Sequence, residues 1–359
     1  MAWSSALGLA PALHPSATCL AAPLATATTT EHKVEDSAHG LSDEEIATLS
    51  SLKKLDEYPL YTMHYYGSYT QRTSSNAGVS WLANAKCTNP STGTLYPKWG
   101  CSLFAALGDT HNMHYARNFD WYYSPAVLLF TQPPNGYASV SMVDIAYLGF
   151  GGASAGMLTD LPNIKRLSLL YTPRMPFDGM NEHGLAVGMA AVPPGDVRPD
   201  PNKQTISSLM VIRKILDNAK NVSEAIEILK SYNIDMRGGP PIHYLIADPS
   251  GHSELVEFYR GQMVTIPNKR PWHLATNFLC ASIDKAAEGT CWRYDIIKLL
   301  LTEAKGRITA DEAMKLLAEV SQGSTQWSII YKMSTKELKV TMGRQYDRFH
   351  NFHLSSSGK

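Results

Sequence analysis

The sequence predicts an α+β fold built as a layered sandwich, and three observations lead there. Short apolar runs of strand length come in groups divided by turn residues, and the helical stretches come in pairs. Regular β–α–β alternation, with its phosphate-loop or dinucleotide glycine signature, is not seen. The chain has 359 residues, 44% apolar and 18% charged, which is globular and long enough for a large core. Lys+Arg and Asp+Glu are both 32, so a net charge of zero draws no polyanion. With no basic patch or aromatic nucleic-acid motif either, the sequence predicts no nucleic-acid partner.

Residues 1–30 hold no Lys, Arg, Asp or Glu. Ala25-Thr26-Ala27 has the small-residue form of a secretory cleavage site, whereas Pro11, Pro15 and the missing basic start fit a disordered leader; both readings stay open. A secretory leader would place the protein outside the cytoplasm (secreted, periplasmic or lysosome-like), and otherwise it is cytoplasmic. No other apolar run approaches the roughly 20 residues that span a bilayer. Ser42-Asp43-Glu44-Glu45 is a capping box, with Ile46, Leu49, Leu52 and Leu55 following at helical spacing. Thr62–Tyr66 reads as a strand, and a turn-rich stretch runs from Gly67 to Gly100. Cys101 to Phe119 reads as a hairpin turning at Gly108–Asn112. Further strands are expected at Val127–Thr131, Ala138–Val143, Leu185–Val192, His243–Ala247, Leu255–Tyr259, Trp327–Met333 and Leu338–Met342. Helices are expected at Ile206–Asn218, Ser223–Tyr232, Trp292–Glu303 and Ala310–Val320, the last behind a Thr309–Glu312 capping box. Gly149–Gly156 is read as a flexible loop.

Five cysteines (Cys19, Cys87, Cys101, Cys280, Cys291) are too few for a disulfide scaffold and form no C-x-x-C zinc pair. Cys280 and Cys291 could bridge each other, or one could pair with Cys87. The odd count asks which thiol works. His111 and His114 point to opposite faces of a hairpin and are read as turn and strand residues. Asn221-Val222-Ser223 has the form of a glycosylation sequon, a pattern that often arises by chance, and Asn221 is read instead as part of a helix N-terminus. A cysteine opening a strand is ordinarily a small buried apolar residue. Around Cys101 the setting differs, because Arg117, Asn118 and Asp120 return beside it on the second arm of the hairpin. Arg117 and Asp120 are three apart and do not share a strict strand face, but they converge if the strand ends or bulges near Phe119. A cation next to a thiol favours the nucleophilic thiolate.

Gly100-Cys101, with Ala116-Arg117-Asn118-Phe119-Asp120-Trp121 beyond it, resembles the choloylglycine-hydrolase superfamily of N-terminal-nucleophile cysteine amidases, which includes acid-ceramidase-like amidases. Gly179-Met180-Asn181-Glu182-His183-Gly184-Leu185, Ala275-Thr276-Asn277 and Trp292-Arg293-Tyr294 match further segments in the same order. The resemblance implies an αββα four-layer sandwich, self-cleavage between Gly100 and Cys101, and a linear N-acyl amide as substrate, without cofactor or metal. It implies Cys101 as nucleophile and, through its new α-amine, as base. Asp120 would orient that amine and Arg117 would stabilise the thiolate. Asn277 (side-chain amide) and Asn181 (backbone N–H) would receive the oxyanion, with Arg293 in support. Residues 1–30 would then be a leader, 31–100 a prosegment that stays associated, and 101–359 the catalytic domain. Trp121, Tyr122, Tyr123, Phe150, Met157 and Met180 are candidates for an apolar acyl pocket. About a hundred residues precede Cys101, nearer the acid-ceramidase arrangement than the bile-salt one. An acyltransferase of the same fold, a papain-like thiol protease and a non-catalytic binding protein remain as rivals, and a homo-oligomer is left open.

Overall fold

The computed structural model describes residues 40–69, 100–194, 198–282, 289 and 291–355. The expected leader, Cys19, Cys87 and most of the turn-rich stretch before Gly100 lie outside the described residues. Helix α1 (Asp43–Ser50) begins at Ser42 with both halves of the predicted capping box formed, and it buries Ile46 and Leu49. It stops two residues before Leu52, because the chain turns there into strands β1 (Lys53–Asp56) and β2 (Leu60–Tyr65).

The next hairpin is β3 (Ser102–Ala106) with β4 (His114–Asp120), followed by β5 (Ala126–Thr131) and β6 (Ser139–Asp144). Residues 145–174 carry a series of short 3-10 turns, including part of the glycine-rich stretch read as a loop. Then come β7 (Asp178–Asn181), β8 (Ala186–Ala191), β9 (Gln204–Ser207), α2 (Met210–Asn218), α3 (Val222–Lys230) and β10 (Tyr232–Asp235). Helix α2 starts later than the periodicity from Ile206 suggests: Gln204–Ser207 pairs in parallel with β10, and Ser207 Oγ accepts the Met210 N–H. Asn221 caps α3, its side chain accepting from Glu224 N. Strands β11 (Ile242–Ala247), β12 (Ser253–Tyr259), β13 (Gln262–Pro267) and β14 (Trp272–Ala275) follow. Helices α4 (Trp292–Glu303) and α5 (Ala310–Glu319) and strands β15 (Thr325–Lys332), β16 (Glu337–Met342) and β17 (His350–His353) complete the chain.

The strands form two large sheets. One has the order β1-β2-β5-β6-β7-β8-β11-β12-β13 and the other β14-β3-β4-β15-β16-β17. Neighbours are antiparallel except β2 and β5. Alternation along β3 shows how the sandwich is filled. Leu103 and Ala105 enter the core shared with the nine-stranded sheet, whereas Phe104 and Ala106 pack under α4 and α5. Val211, Ile212, Ile215 and Leu216 of α2 join the main core, with Val222 and Ala225 of α3. The layers are therefore helix, sheet, sheet, helix, as expected. No helix among the described residues is long and apolar enough to cross a membrane.

Candidate functional site

Cys101 stands one residue before β3 and takes the same parity as Leu103, which turns it towards the space between the sheets. The antiparallel register sets Ser102 opposite Asn118 and Leu103 opposite Arg117, so the hairpin brings Arg117 diagonally to Cys101. Arg117 Nη2 lies 3.4 Å from Sγ. Its Nη1 donates to the Phe177 carbonyl at 3.1 Å and to Asp178 Oδ2 at 2.9 Å, and the guanidinium sits 5.1 Å from the Phe119 ring centroid. Arg117 and Asp178 are both fully buried, and Asp178 is held further by Tyr331 Oη and Trp327 Nε1. Burial pushes the Asp178 carboxyl up, with Arg117 and the two donors pulling against it.

Asp120 meets the site in the way the three-residue spacing requires. Opposite it the β4–β15 register slips between Thr325 and Trp327, leaving Gln326 as an extra residue, and β4 ends at Asp120. Asp120 Oδ2 accepts from Gln322 Nε2 at 2.7 Å, and Oδ1 accepts from Thr325 Oγ1. Burial raises the Asp120 carboxyl, which those donors, Arg293 and Arg117 partly offset. Asn118 faces the other layer, donating to the Leu317 carbonyl of α5 at 2.7 Å.

The backbone of Cys101 is clamped from both sides. Its N–H donates to Asn277 Oδ1 at 2.8 Å, and its carbonyl accepts from Arg293 Nη1. Arg293 also reaches Ser102 Oγ at 3.0 Å and Asn277 Oδ1 at 2.9 Å, a task that accounts for a buried cation in the first turn of a helix. Asn277 Nδ2 donates to the Ala191 carbonyl at 2.7 Å, tying the loop after β14 to the end of β8. That loop is anchored by Glu257 on β12, whose buried carboxylate accepts the N–H groups of Cys280 (2.9 Å) and Ala281 (2.7 Å) and meets His243 Nδ1 at 3.1 Å.

Asn181 is not brought to this cluster. Its backbone N–H is bonded to the Leu185 carbonyl, its Oδ1 accepts from His183 and Leu185, and its Nδ2 donates to the Leu216 and Ala219 carbonyls. Asn181 therefore closes the β7–β8 turn, and the expectation that its N–H receives an oxyanion is corrected: that hydrogen is already used inside the hairpin. The residue of this segment that does face Cys101's partners is Asp178, at the other end of β7. Asp178, Gln322, Thr325 and Glu257 were not singled out from sequence.

A cavity of about 390 Å³ opens beside Cys101, with Asp120, Phe119, Phe177, Met189 and Ala191 near the thiol end and a predominantly apolar wall beyond. Trp121 lines it as expected. Met180 is buried in the main core, Phe150 in a second one, and Tyr123 and Met157 are exposed, so the wall is built instead from Tyr147, Tyr171, Met175, Leu209 and Ile242. Cys280 and Cys291 are free thiols, not bonded to each other. Among the described residues no cluster has the composition of a metal site.

A family model described as acyl-coenzyme A:6-aminopenicillanic acid acyl-transferase matches residues 154–347, more than half of the chain. The chain belongs to this acyl-transferase family. Among solved structures it is similar to a mutant of the conjugated bile acid hydrolase from Clostridium perfringens, at 18% identity and a TM-score of 0.51, covering 71% of this chain and 92% of that one. It is also similar to penicillin V acylase from Agrobacterium tumefaciens, at 16% identity and a TM-score of 0.46, covering 67% and 83%. The αββα sandwich of this acyl-transferase family member is that of the N-terminal-nucleophile hydrolases, the superfamily that the Gly100–Cys101 and Arg117–Asp120 segments resemble. The matched span begins after Cys101, Arg117 and Asp120, so those three positions rest on the geometry described above.

Proposed function

We propose that the protein is a self-processing cysteine amidase that hydrolyses the C–N bond of linear N-acyl amides through a thioester on Cys101. The observation that carries this reading is the contact of Arg117 Nη2 with Cys101 Sγ at the end of an apolar cavity, with the Gly100–Cys101 junction held by Asn277, Arg293 and Gln322. In the mature form the Cys101 nitrogen would be a free α-amine, whose ordinary pKa of about 7.7–8.0 suits a general base near neutrality. It takes the Sγ proton as the thiol attacks the substrate carbonyl, then returns a proton to the departing amine. Water, deprotonated by the same amine, cleaves the thioester. Asp120 orients the amine, and Arg117 stabilises the thiolate. The Asn277 amide has a second N–H beyond the one given to Ala191, and this donor meets the oxyanion. The cavity takes the acyl group, since its wall is apolar and aromatic.

Residues 1–30 act as a leader, 31–100 as a prosegment and 101–359 as the catalytic domain. The prosegment stays bound, because β1 and β2 are strands of the nine-stranded sheet. Purified protein should contain two co-eluting fragments, the larger beginning at Cys101, and Cys101→Ala should remain one inactive chain. A larger fragment that begins elsewhere removes the α-amine base and with it this mechanism. A second reading, acyl transfer to an amine, is favoured by the family description. Supplying an acyl donor with a competing amine separates the two: N-acyl product dominating at low amine concentration would replace hydrolysis with transfer.

A further inference from the structure

We propose that Gln322 is the oxyanion donor for the cut that frees Cys101, a group separate from the Asn277 amide that serves turnover. The inference rests on the reading that the chain cleaves itself between Gly100 and Cys101. Gln322 lies in the turn between α5 and β15, where its own N–H is bonded to Thr325 Oγ1 at 2.9 Å. Its Nε2 stands 2.7 Å from Asp120 Oδ2 and 3.4 Å from the Gly100 carbonyl oxygen. The Asp120 bond fixes where the amide sits, and the second N–H faces the oxygen that gains charge during cleavage. The other polar groups at the junction address different atoms. Asn277 Oδ1 meets the Cys101 N–H, and Arg293 meets the Cys101 carbonyl, on the far side of the scissile bond. Among the described residues, the side-chain donor that reaches the Gly100 oxygen is Gln322.

The chemistry gives that donor two occasions to act. Sγ adds to the Gly100 carbonyl carbon, and the carbonyl oxygen becomes an oxyanion in a cyclic adduct. The bond from that carbon to the Cys101 nitrogen then breaks, the nitrogen leaving as the α-amine with the proton that Sγ gave up. The result is a thioester between Gly100 and Cys101 Sγ. Water adds to the same carbon, the oxyanion forms again, and the products are the Gly100 carboxylate and the free thiol. A separation of 3.4 Å is long for a neutral carbonyl and shortens as the oxygen charges, the situation in which a positioned amide contributes most. Glycine at the scissile position is what lets the amide approach: a Cβ there would fall 1.7 Å from Nε2. Once the bond is cut and the Gly100 carboxylate has moved off, the Gln322 side-chain amide keeps its bond to Asp120, so it is a catalytic residue for maturation and a positioning residue for turnover.

Gln322→Met keeps the length of the side chain and removes the donor. Two rates are to be measured: chain cleavage after a cell-free translation pulse, and amide hydrolysis per titrated N-terminal Cys101. Cleavage should slow about 100-fold, as for loss of one oxyanion donor, and hydrolysis by less than about tenfold. Cleavage at the wild-type rate, or an equal loss in both rates, overturns the proposal. Gln322→Glu supplies a second test that does not depend on the first variant folding well. A carboxyl can donate only when protonated, so its cleavage rate relative to wild type should climb as pH falls from about 8 to about 5. A profile parallel to wild type also overturns the proposal. Sequencing the larger wild-type fragment in the same experiment tests the cleavage reading itself, so the two failures are told apart.

Discussion

Replacing Arg117 by lysine keeps the charge and should still disable the enzyme. The guanidinium serves several neighbours at once: the Phe177 carbonyl and Asp178 Oδ2 from Nη1, Cys101 Sγ from Nη2, and the Phe119 ring from its plane. A single ammonium can sit on Asp178 or near Sγ, and it loses the planar stack in either place. A charge-assisted hydrogen bond is worth about 1.5–3 kcal/mol. The stack over an aromatic ring adds about 0.5–2 kcal/mol. A combined loss of about 3 kcal/mol at the transition state lowers turnover roughly 100-fold. Lysine leaves Asp178 with a cation, so folding stability should fall less than in Arg117→Met, where a lone buried carboxylate costs about 3–5 kcal/mol. The assay is turnover per cleaved site with an N-acyl amide, alongside urea denaturation of both variants. An Arg117→Lys enzyme within about threefold of wild type would show that the geometry at Sγ does not need the guanidinium fork.

Three further outcomes follow from the same geometry. Glu257→Gln replaces one of two acceptor oxygens, each of which takes one backbone N–H of the Asn277 loop, by a donor. It should lower kcat about tenfold with KM little changed, which steady-state kinetics checks. Gly100→Ala puts a Cβ 1.7 Å from Gln322 Nε2 and 2.9 Å from Asp120 Oδ2, so uncleaved chain should accumulate on denaturing gels. Asp144 is fully buried and burial pushes its carboxyl up to about 7. A carboxyl raised on folding costs stability as pH rises from its unfolded value towards that figure. Asp144→Asn should therefore raise Tm above about pH 7 and leave it nearly unchanged near pH 4, and equal shifts at both pH values would refute the assignment.

The β3–β4 hairpin was legible because its partners are close in sequence. Arg117 lies sixteen positions after Cys101, one short loop (107–113) joins the arms, and strand parity alone aims both side chains at the same space. The strand end that lets Asp120 join was legible only as a condition, since the bulge belongs to β15, two hundred residues later. Arg293 was flagged by a mismatch between its charge and its helical position, and Asn277 through the resemblance. Asp178 went unseen for a different reason. A single acidic residue before a glycine looks like any turn residue, and only the fully buried guanidinium opposite it shows that it is the counter-charge. Gln322 and Glu257 act through backbone atoms of distant segments, which leave no pattern in the chain. Among the strands not expected from sequence, β1 and β13 lie at the two edges of their sheet, where side chains face water on more than one side and the alternation of apolar and polar residues fades.

The segment ahead of Gly100 is built into the fold. Strand β2 runs parallel to β5 and extends the nine-stranded sheet, with Leu60 in the main core and Tyr61 and Met63 in the second. Asp56 reaches Arg348 at 3.1 Å and His350 at 2.8 Å, near the other end of the chain. Tyr58 Oη donates to Gln326 Oε1 at 2.7 Å, and Gln326 Nε2 donates to the Trp121 and Ser324 carbonyls. Gln326 is the bulge residue whose insertion lets β4 end at Asp120. Tyr69 reaches Asp217 Oδ2 at 2.6 Å, beside the buried Arg213. A residue of the leading segment thus braces the strand irregularity on which the acidic arm of the site depends. On the reading proposed above, a cut at Gly100–Cys101 would free the α-amine without removing that brace, because these contacts are non-covalent and join residues on the two sides of the cut. On the same reading, this segment would supply the scissile carbonyl and then remain as two strands of the nine-stranded sheet.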